Sequence, residues 1–522
     1  MVNGSAALNL PKEGFQEVEI AESPIKYCTV TLSDVISRGK RLEASVFDVE
    51  AKQARSVIEN GKYPVRMVGG TDGLASSYVC GRFKRIWVEK SDLPIFQPSS
   101  ITDVYPIPDG YISHKTQTDI EALRVHKGQV LMTCSGTIGK MSYVSKTLDN
   151  QVFSHDLLRI NANNTEDAGY IYAYLKSKTG NKILLTNSYG AVITHIEPEH
   201  LATVPIPDAP WSIKKRINDL IVASYELRDA SNALIDEATA LLVKELHFPD
   251  IHDFDIGYYK KNASVDTFSI KLSDLGGRID ASYHVPIVDS IVDHMKKHAA
   301  EVTTVGNSKI SKDIILPGRF KRVYVEEGYG VPFFGGRSIG ELDPSDKKYL
   351  SFSQHDKKIK SELTIHEGMI LITCSGTIGN VALVPSQWNN WAMTHDIIRL
   401  VPNKSIRGYL FIWLQTEYAS ALIKSYTYGS VVPHIEKEHL AMLPVPILKN
   451  AAIQKRINDL ALEANEKRYQ AYKLEQQALQ IIDKEVIFAD KNEMSAKKYS
   501  YDFSSYLAGK VAEDHVQYGK KE

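Results

Sequence analysis

TCSGTIG occupies residues 133–139 and returns unchanged at 373–379. Other blocks travel with it in the same order. GRFKRIWVE (81–89) comes back as GRFKRVYVE (318–326), and HIEPEHLA (195–202) as HIEKEHLA (434–441). Ser154-His155-Asp156 is matched by Thr394-His395-Asp396, Arg159 by Arg399, and KRINDL (215–220) by the same letters at 455–460. All are displaced by 237–240 residues, too regular for chance, so the chain is one unit present twice.

The surroundings of the repeated block read as β-structure. QVLMTC and YVSK flank SGTIGK, and GMILITC and VALV flank the same turn in the second copy. Short apolar runs bounded by Gly-containing turns predict strand, turn and strand. The glycines supply positive φ, and the Ser and Thr hydroxyls bond the turn backbone. Aromatic and β-branched residues punctuated by Gly and Pro dominate about 28–208 and 266–448, with one helix expected in each near 169–178 and 408–424. The fold class is α+β.

A long helix follows each of these domains. Ile213, Leu220, Leu227, Leu234 and Leu241 recur every seven residues, with Ile217, Ser224, Ser231 and Ala238 between them. The second copy has Ile453, Leu460, Lys467, Leu474 and Ile481, with Ile457, Ala464, Ala471 and Ala478 between. One large and one small residue per heptad predicts a seam along which two helices approach closely. Pro210 and Asn450 mark the two starts, as a first-turn proline and an N-cap. Each helix would run roughly 54 Å. Antiparallel pairing of the two as a coiled coil buries both seams; two amphipathic helices lying on their own domains is the plainer alternative, and the strict seven-residue period argues against it.

Composition narrows the class further. The 522 residues carry 62 Lys+Arg against 63 Asp+Glu, a net charge of -1, so a uniformly basic nucleic-acid coat is excluded while local basic patches are not. No run approaches the roughly 18 apolar residues of a membrane span. The first residues, MVNGSAALNLPKEG, lack a basic start and an apolar core, so no secretory signal is expected. Four cysteines without a CxxC pair argue against a disulfide framework or a cysteine-rich zinc site. The expected location is the cytoplasm.

Candidate chemistry is sparse. Cys134 and Cys374 could be nucleophiles with His155 and His395 as bases, but no G-x-S-x-G elbow and no third member accompany them. Adjacent residues on a strand face opposite ways, so His155-Asp156 and His395-Asp396 are not expected to form dyads. His195/His200 and His434/His439 are spaced i,i+5 without an H-E-x-x-H pattern, and no metal or cofactor is expected. GTIGKM lacks the phosphate-loop spacing, and its copy GTIGNV lacks the lysine. The best interaction candidate is GRFKR[IV][WY]VE, which places Arg82, Lys84 and Arg85, and Arg319, Lys321 and Arg322, beside Trp87 and Tyr324. Basic residues interleaved with aromatics suit phosphate contact. In an extended strand Arg82 and Lys84 share one face, with Phe83 and Arg85 opposite; an ordinary solvated edge strand is the bland reading. SYG (188–190) and TYG (427–429) read as loop tips carrying Tyr189 and Tyr428, for turn or contact.

The order of a Gly-turn block, a YG segment, a P-x-P exit (PIP 205–207, PVP 444–446) and a long helix, repeated twice, resembles the specificity subunit of type I restriction-modification systems. The resemblance covers about 28–247 and 268–487. It implies target-recognition domains at 28–208 and 268–448, spacer helices at 209–247 and 449–487, and a linker at 248–267. Residues 1–27 and 488–522 fall outside as an N-terminal extension and a tail. It also implies that each domain reads half of a bipartite, asymmetric site in double-stranded DNA. The helices would set the spacer and dock two methylase subunits, with restriction (motor-nuclease) subunits as further partners. Catalysis would belong to those partners: no catalytic residue and no membrane contact are expected here. The helix starts, WSIKKRI and AAIQKRI, lack the acidic-Gln pair common in the family. The copies diverge over 45–80 against 282–317 and over 93–128 against 331–368, where base contacts are expected from loops. A duplicated hydrolase or nuclease acting alone, and a coiled-coil scaffold for protein partners, are the competing readings.

Overall fold

The computed structural model describes residues 29–37, 40–190, 193–254 and 268–489. The N-terminal extension, most of the 248–267 linker and nearly all of the tail lie outside the described residues. Two compact units divide the chain. One holds the described residues up to Thr102, Pro106–Glu226 and the chain from Lys473; the other holds Asp103–Tyr105 and Leu227–Tyr472.

In the first unit a four-stranded sheet runs in the order Ala75–Tyr78, Leu157–Ala162, Val130–Thr133, Met141–Tyr143, all antiparallel. A second sheet orders Trp87–Val88, Gly110–Ile112, Pro94–Phe96 and Val152–Phe153, its last pair parallel. The second unit repeats both. Its sheets are Ser311–Ile315, Ile397–Pro402, Ile370–Thr373, Val381–Leu383, and Tyr324–Val325, Lys348–Ser351, Gly330–Phe334, Ala392–Met393. The apolar runs do not alternate because both faces of the first sheet are covered. Leu158 and Ile160 face a core built with Tyr170, Tyr172 and Tyr174, while Leu157 and Leu131 face another with Phe96 and Phe153. Ile398 and Leu400 against Leu371 and Ile397 repeat the division.

Arg159 and Arg399 interrupt these runs and are fully buried. Each guanidinium donates to main-chain carbonyls: Arg159 to Leu157, Leu123 and Phe153, and Arg399 to Ile397, Leu363, Met393 and Thr394. These bonds answer the desolvation of the charge and tie the central strand to the second sheet. Burial lowers the Arg399 pKa to about 9.

The expected helices are present as pairs, Thr165–Lys176 with Lys178–Leu185 and Arg407–Gln415 with Glu417–Ser425. The P-x-P exits are edge strands, Pro205–Pro207 pairing Val65–Met67 and Pro444–Ile447 pairing Glu301–Thr304. Proline suits such edges because it offers no ladder donor. Its carbonyls are used instead: Tyr170 and Tyr174 donate to Pro207 and Pro205, and Tyr409 and Trp413 to Pro446 and Pro444. The divergent stretches 45–80 and 282–317 are not loops, since they hold the helices Val49–Glu59 and Pro286–His298 and those pairing strands. Their sequences differ while their packing role is the same.

The long helices run Trp211–Glu245 (35 residues) and Ala451–Ile481 (31 residues). Asn450 caps the second, its side-chain oxygen accepting from the amides of Ala452 and Ile453. Pro210 stands just before the first helix, its carbonyl accepting from Ile213 and Lys214. Within the first unit Arg216 pairs with Glu485, and Ile217, Ile221 and Tyr225 share a core with Ala478, Ile482 and Val486. Within the second, Glu237 meets Arg456 at 3.0 Å and Ser231 meets Arg468 at 3.3 Å, which is an antiparallel sense. The small row is buried as expected: Ile217, Ser224, Ser231, Ala238, Ile457, Ala464, Ala471 and Ala478 are all fully inaccessible. The large row is corrected. In the first helix Ile213, Leu220, Leu227, Leu234 and Leu241 are only half-buried, whereas Ile221, Arg228, Ile235 and Leu242, one position on, are buried; in the second, Leu460 is buried as expected, while Ile453, Lys467, Leu474 and Ile481 are half-buried. Residues of both long helices also join the α+β cores, Ile221 and Tyr225 in one and Leu242 and Ala461 in the other, which widens the buried stripe beyond the small row.

Candidate nucleic-acid interface

The basic block forms less strand than expected. Only Trp87–Val88 and Tyr324–Val325 pair with neighbours. Just before them, the carbonyls of Ile86 and Val323 still accept from the amides of Ser113 and Ser351, and residues earlier in the block engage side chains from the segment preceding the central strand. Phe83 meets His155 edge-on at 6.0 Å, and Arg322 donates to Thr394 Oγ1 at 2.9 Å and lies 3.3 Å from His395 Nδ1. The predicted alternation nevertheless holds. Arg82, Lys84, Arg319 and Lys321 are exposed, while Phe83, Arg85, Phe320 and Arg322 are half-buried.

His155 and Asp156 do touch, Nε2 to Oδ2 at 3.2 Å, and His395 and Asp396 at 3.3 Å. The strands begin only at Leu157 and Ile397, so the strand alternation that was expected to separate each pair does not apply. Burial holds both histidines below the usual imidazole range; the neighbouring aspartates oppose this, and Arg85 with Arg82, or Arg322 with Arg319, add to it. In the first copy Arg85 Nε, Ser154 Oγ and His155 Nδ1 are buried without a hydrogen-bond partner. Arg85 rests instead over Phe83 at 5.7 Å and Trp87 at 6.0 Å.

In the second domain the repeated blocks converge on one concave face of about 570 Å³. Arg322 and Tyr324 come from the basic block, Ser375, Gly376 and Thr377 from the glycine turn, Thr394 and Asp396 from the segment before the central strand. Arg337, Lys348 and Phe333 enter from the divergent 331–368 stretch. Lys348 sits 4.9 Å over Tyr324, and Arg322 5.6 Å over Phe333. The turn is as expected, with Gly136, Gly139, Gly376 and Gly379 all at positive φ.

Tyr189 and Tyr428 are anchors of their loops. Tyr189 donates to Glu197 at 2.5 Å and Tyr428 to Glu436 at 2.6 Å. The Tyr428 hydroxyl is pushed up to about 12 by burial and by that carboxylate. His200 and His439 accept from the Glu197 and Glu436 amides and complete capping boxes, so they serve helix starts. Two further arginines, outside the basic block, hold the same loops. Arg41 donates to the Ser188 carbonyl at 2.8 Å beside Glu43, and Arg278 to those of Tyr426 and Thr427 beside Asp280. The signal was available: GKRLEAS (39–45) and GGRIDAS (276–282) are a further pair at the repeat offset.

Cys134 and Cys374 do not suit nucleophiles. Both are buried, and burial together with Asp156 or Asp396 pushes the thiols up to about 11 and about 12. A thiolate, the reactive form, is thereby disfavoured.

The family model described as "Type I restriction modification DNA specificity domain" matches residues 45–238 and 319–463. Among curated proteins no sequence match is found. Among solved structures, the S subunit of a type I restriction-modification system from M. genitalium is 15% identical, with 81% of this chain and 95% of that chain covered and a TM-score of 0.32. The HsdS subunit from Thermoanaerobacter tengcongensis is 14% identical over 81% of this chain and 100% of that chain, with a TM-score of 0.24. A structure concerned with assembly and conformational transition of the type I R-M system is 15% identical over 81% and 98%, with a TM-score of 0.25. The two segments matched by the family model amount to more than half of the 522 residues, and the chain belongs to the type I restriction-modification DNA specificity family.

Proposed function

We propose that this chain is the non-catalytic DNA-specificity subunit of a cytoplasmic type I restriction-modification complex. Each recognition domain reads one half of a bipartite, asymmetric site in double-stranded DNA. The long helices set the spacing between the halves and dock two methylase subunits; adenine methylation and ATP-dependent cleavage belong to the partners, restriction subunits included.

The observation that carries this reading is the convergence of the repeated basic, glycine-turn and Thr-His-Asp blocks on one face with Arg337 and Lys348. Shared residues suit what every DNA offers, the phosphates; divergent residues suit what differs, the bases. Arg82, Lys84, Arg85, Arg319, Lys321 and Arg322 are assigned to phosphate contact. Tyr189 and Tyr428 shape their loops through the bonds to Glu197 and Glu436. Base contact is assigned to 93–128 and 331–368. A near-neutral chain binds DNA weakly by itself, with affinity gained once partners join.

The test is the salt dependence of binding to a mixed-sequence duplex. Neutralising Arg82, Lys84, Arg319 and Lys321 together is expected to flatten the slope by about 0.9 for each lost phosphate contact. An unchanged slope removes these residues from the interface. A protein-binding scaffold predicts no steep salt slope even before substitution.

A further inference from the structure

The loops anchored by Tyr189 and Tyr428 carry apolar residues outward. Val431 is 89% and Val432 50% exposed in the second copy, and Ile193 is 55% exposed in the first. An isolated exposed aliphatic residue is ordinary. Here, however, the aliphatic tip sits on a rigid hairpin. Tyr428 and His434 exchange both main-chain hydrogen bonds, at 3.0 and 2.9 Å, and the Gly376 amide of the glycine turn donates to the Pro433 carbonyl at 3.0 Å. His434 Nδ1 lies 3.0 Å from the Val432 carbonyl, and Arg278 fixes the chain before the hairpin. Gly429 has φ 98°, and a Cβ there would stand 2.6 Å from the Val432 carbonyl, so the turn tolerates only glycine.

The first copy builds the same device. Tyr189 and His195 exchange bonds at 2.9 and 2.7 Å, Gly136 donates to the Thr194 carbonyl at 3.0 Å, and Gly190 has φ 105°. The aliphatic tip of the second copy, closed by these bonds, has not been left exposed by a slack loop, and the same closing bonds flank Ile193 in the first. Charge says what it meets: Val432 lines the same concave face as Arg322, Arg337 and Lys348, which outnumber its two aspartates, Asp346 and Asp396. A polyanion drawn to those cations brings its bases against the valines.

We infer that the tip Val431–Val432, with Ile193 as its counterpart, is an apolar wedge that lodges against a base step of duplex DNA. The inference rests on the DNA-reading assignment above. Wedges of this kind partly unstack a step and couple binding to how easily a sequence deforms. They therefore contribute specificity without hydrogen bonds to base edges.

The full chain with Val431→Trp tests it, at low salt, with a mixed-sequence duplex and with duplexes selected from that pool by the unsubstituted chain. Binding is read by anisotropy of labelled DNA and insertion by indole fluorescence, the unsubstituted chain serving as background. Binding with quenching of the added indole is the expected result. Binding without quenching overturns the wedge and leaves the DNA-reading assignment standing. Absence of binding by the unsubstituted chain overturns both. As a second arm, Val431→Ser with Val432→Ser is expected to cost about tenfold more in affinity for the selected duplexes than for the mixed pool. Equal loss on both, or no loss on either, contradicts the wedge.

Discussion

The side-chain oxygen of Asn218 accepts the main-chain amide of Gly169 at 2.9 Å, and Asn458 accepts that of Gly408 at the same distance. The repeated KRINDL block is thereby explained: its asparagine locks the long helix to the start of the buried helix of the recognition domain. A Cβ at position 169 would stand 2.7 Å from the Asn218 Cα, and one at 408 would meet the Asn458 carbonyl. Gly169→Ala and Gly408→Ala are each expected to destabilise by about 1–3 kcal/mol, read from the urea midpoint. Unchanged midpoints would show that the two helices need no close approach there.

Ala471 is fully buried with Leu342, Val104 and the flanking Leu227 and Tyr472. Ala471→Glu puts an unpartnered charge into that cluster and is expected to cost about 3 kcal/mol or more. The melting temperature checks this, together with assembly on a partner methylase. Retention of both would refute the helix register.

How far the sequence could be read shows most clearly on these helices. Ala464, Ala471 and Ala478 stood out because small residues recur at a strict heptad in both copies. The neighbouring buried row did not, because Lys214, Arg228 and Glu475 occupy it and read as solvated. Lys214 is paired with Asp167 and Asp208, and Glu475 with Lys176 and Tyr172. Apart from Asp208 these partners lie far off in the chain and leave no local pattern. The glycine turn was legible because positive φ restricts residue choice locally. Tyr189 and Tyr428 were legible as loop-tip residues, but the choice between turn and contact was not, since their bonds reach a glutamate across a hairpin and their loops are held by Arg41 or Arg278 from a distant segment.

The buried thiols give a pH prediction. With Cys134 and Cys374 pushed up to about 11 and about 12, their thiolate fraction near neutral pH lies more than about 100-fold below that of a free cysteine. Slow labelling of both by a disulfide reagent is expected in the native chain, accelerating as pH rises, and Cys134→Ala with Cys374→Ala should leave DNA binding intact. Rapid labelling at neutral pH would revive the nucleophile.

His155 and His395 give the opposite dependence. Their folded pKa values lie below the ordinary 6.5, so the unfolded chain takes up protons first as pH falls. Their contribution is present in full above about pH 6.5 and is lost as pH drops from there through the lowered folded values. The His155→Gln, His395→Gln double variant is expected to show a shallower loss of urea midpoint across that window. Parallel curves would mean that neither ring is held neutral by burial.

The most direct test of the specificity assignment is single-molecule methylation mapping of host DNA, with and without this gene, in cells where a co-purifying methylase is expressed. Deletion is expected to remove methylation at one bipartite motif of two unequal halves and a fixed gap, and at nothing else. A methylation map unchanged by the deletion, with the methylase still present, would contradict it.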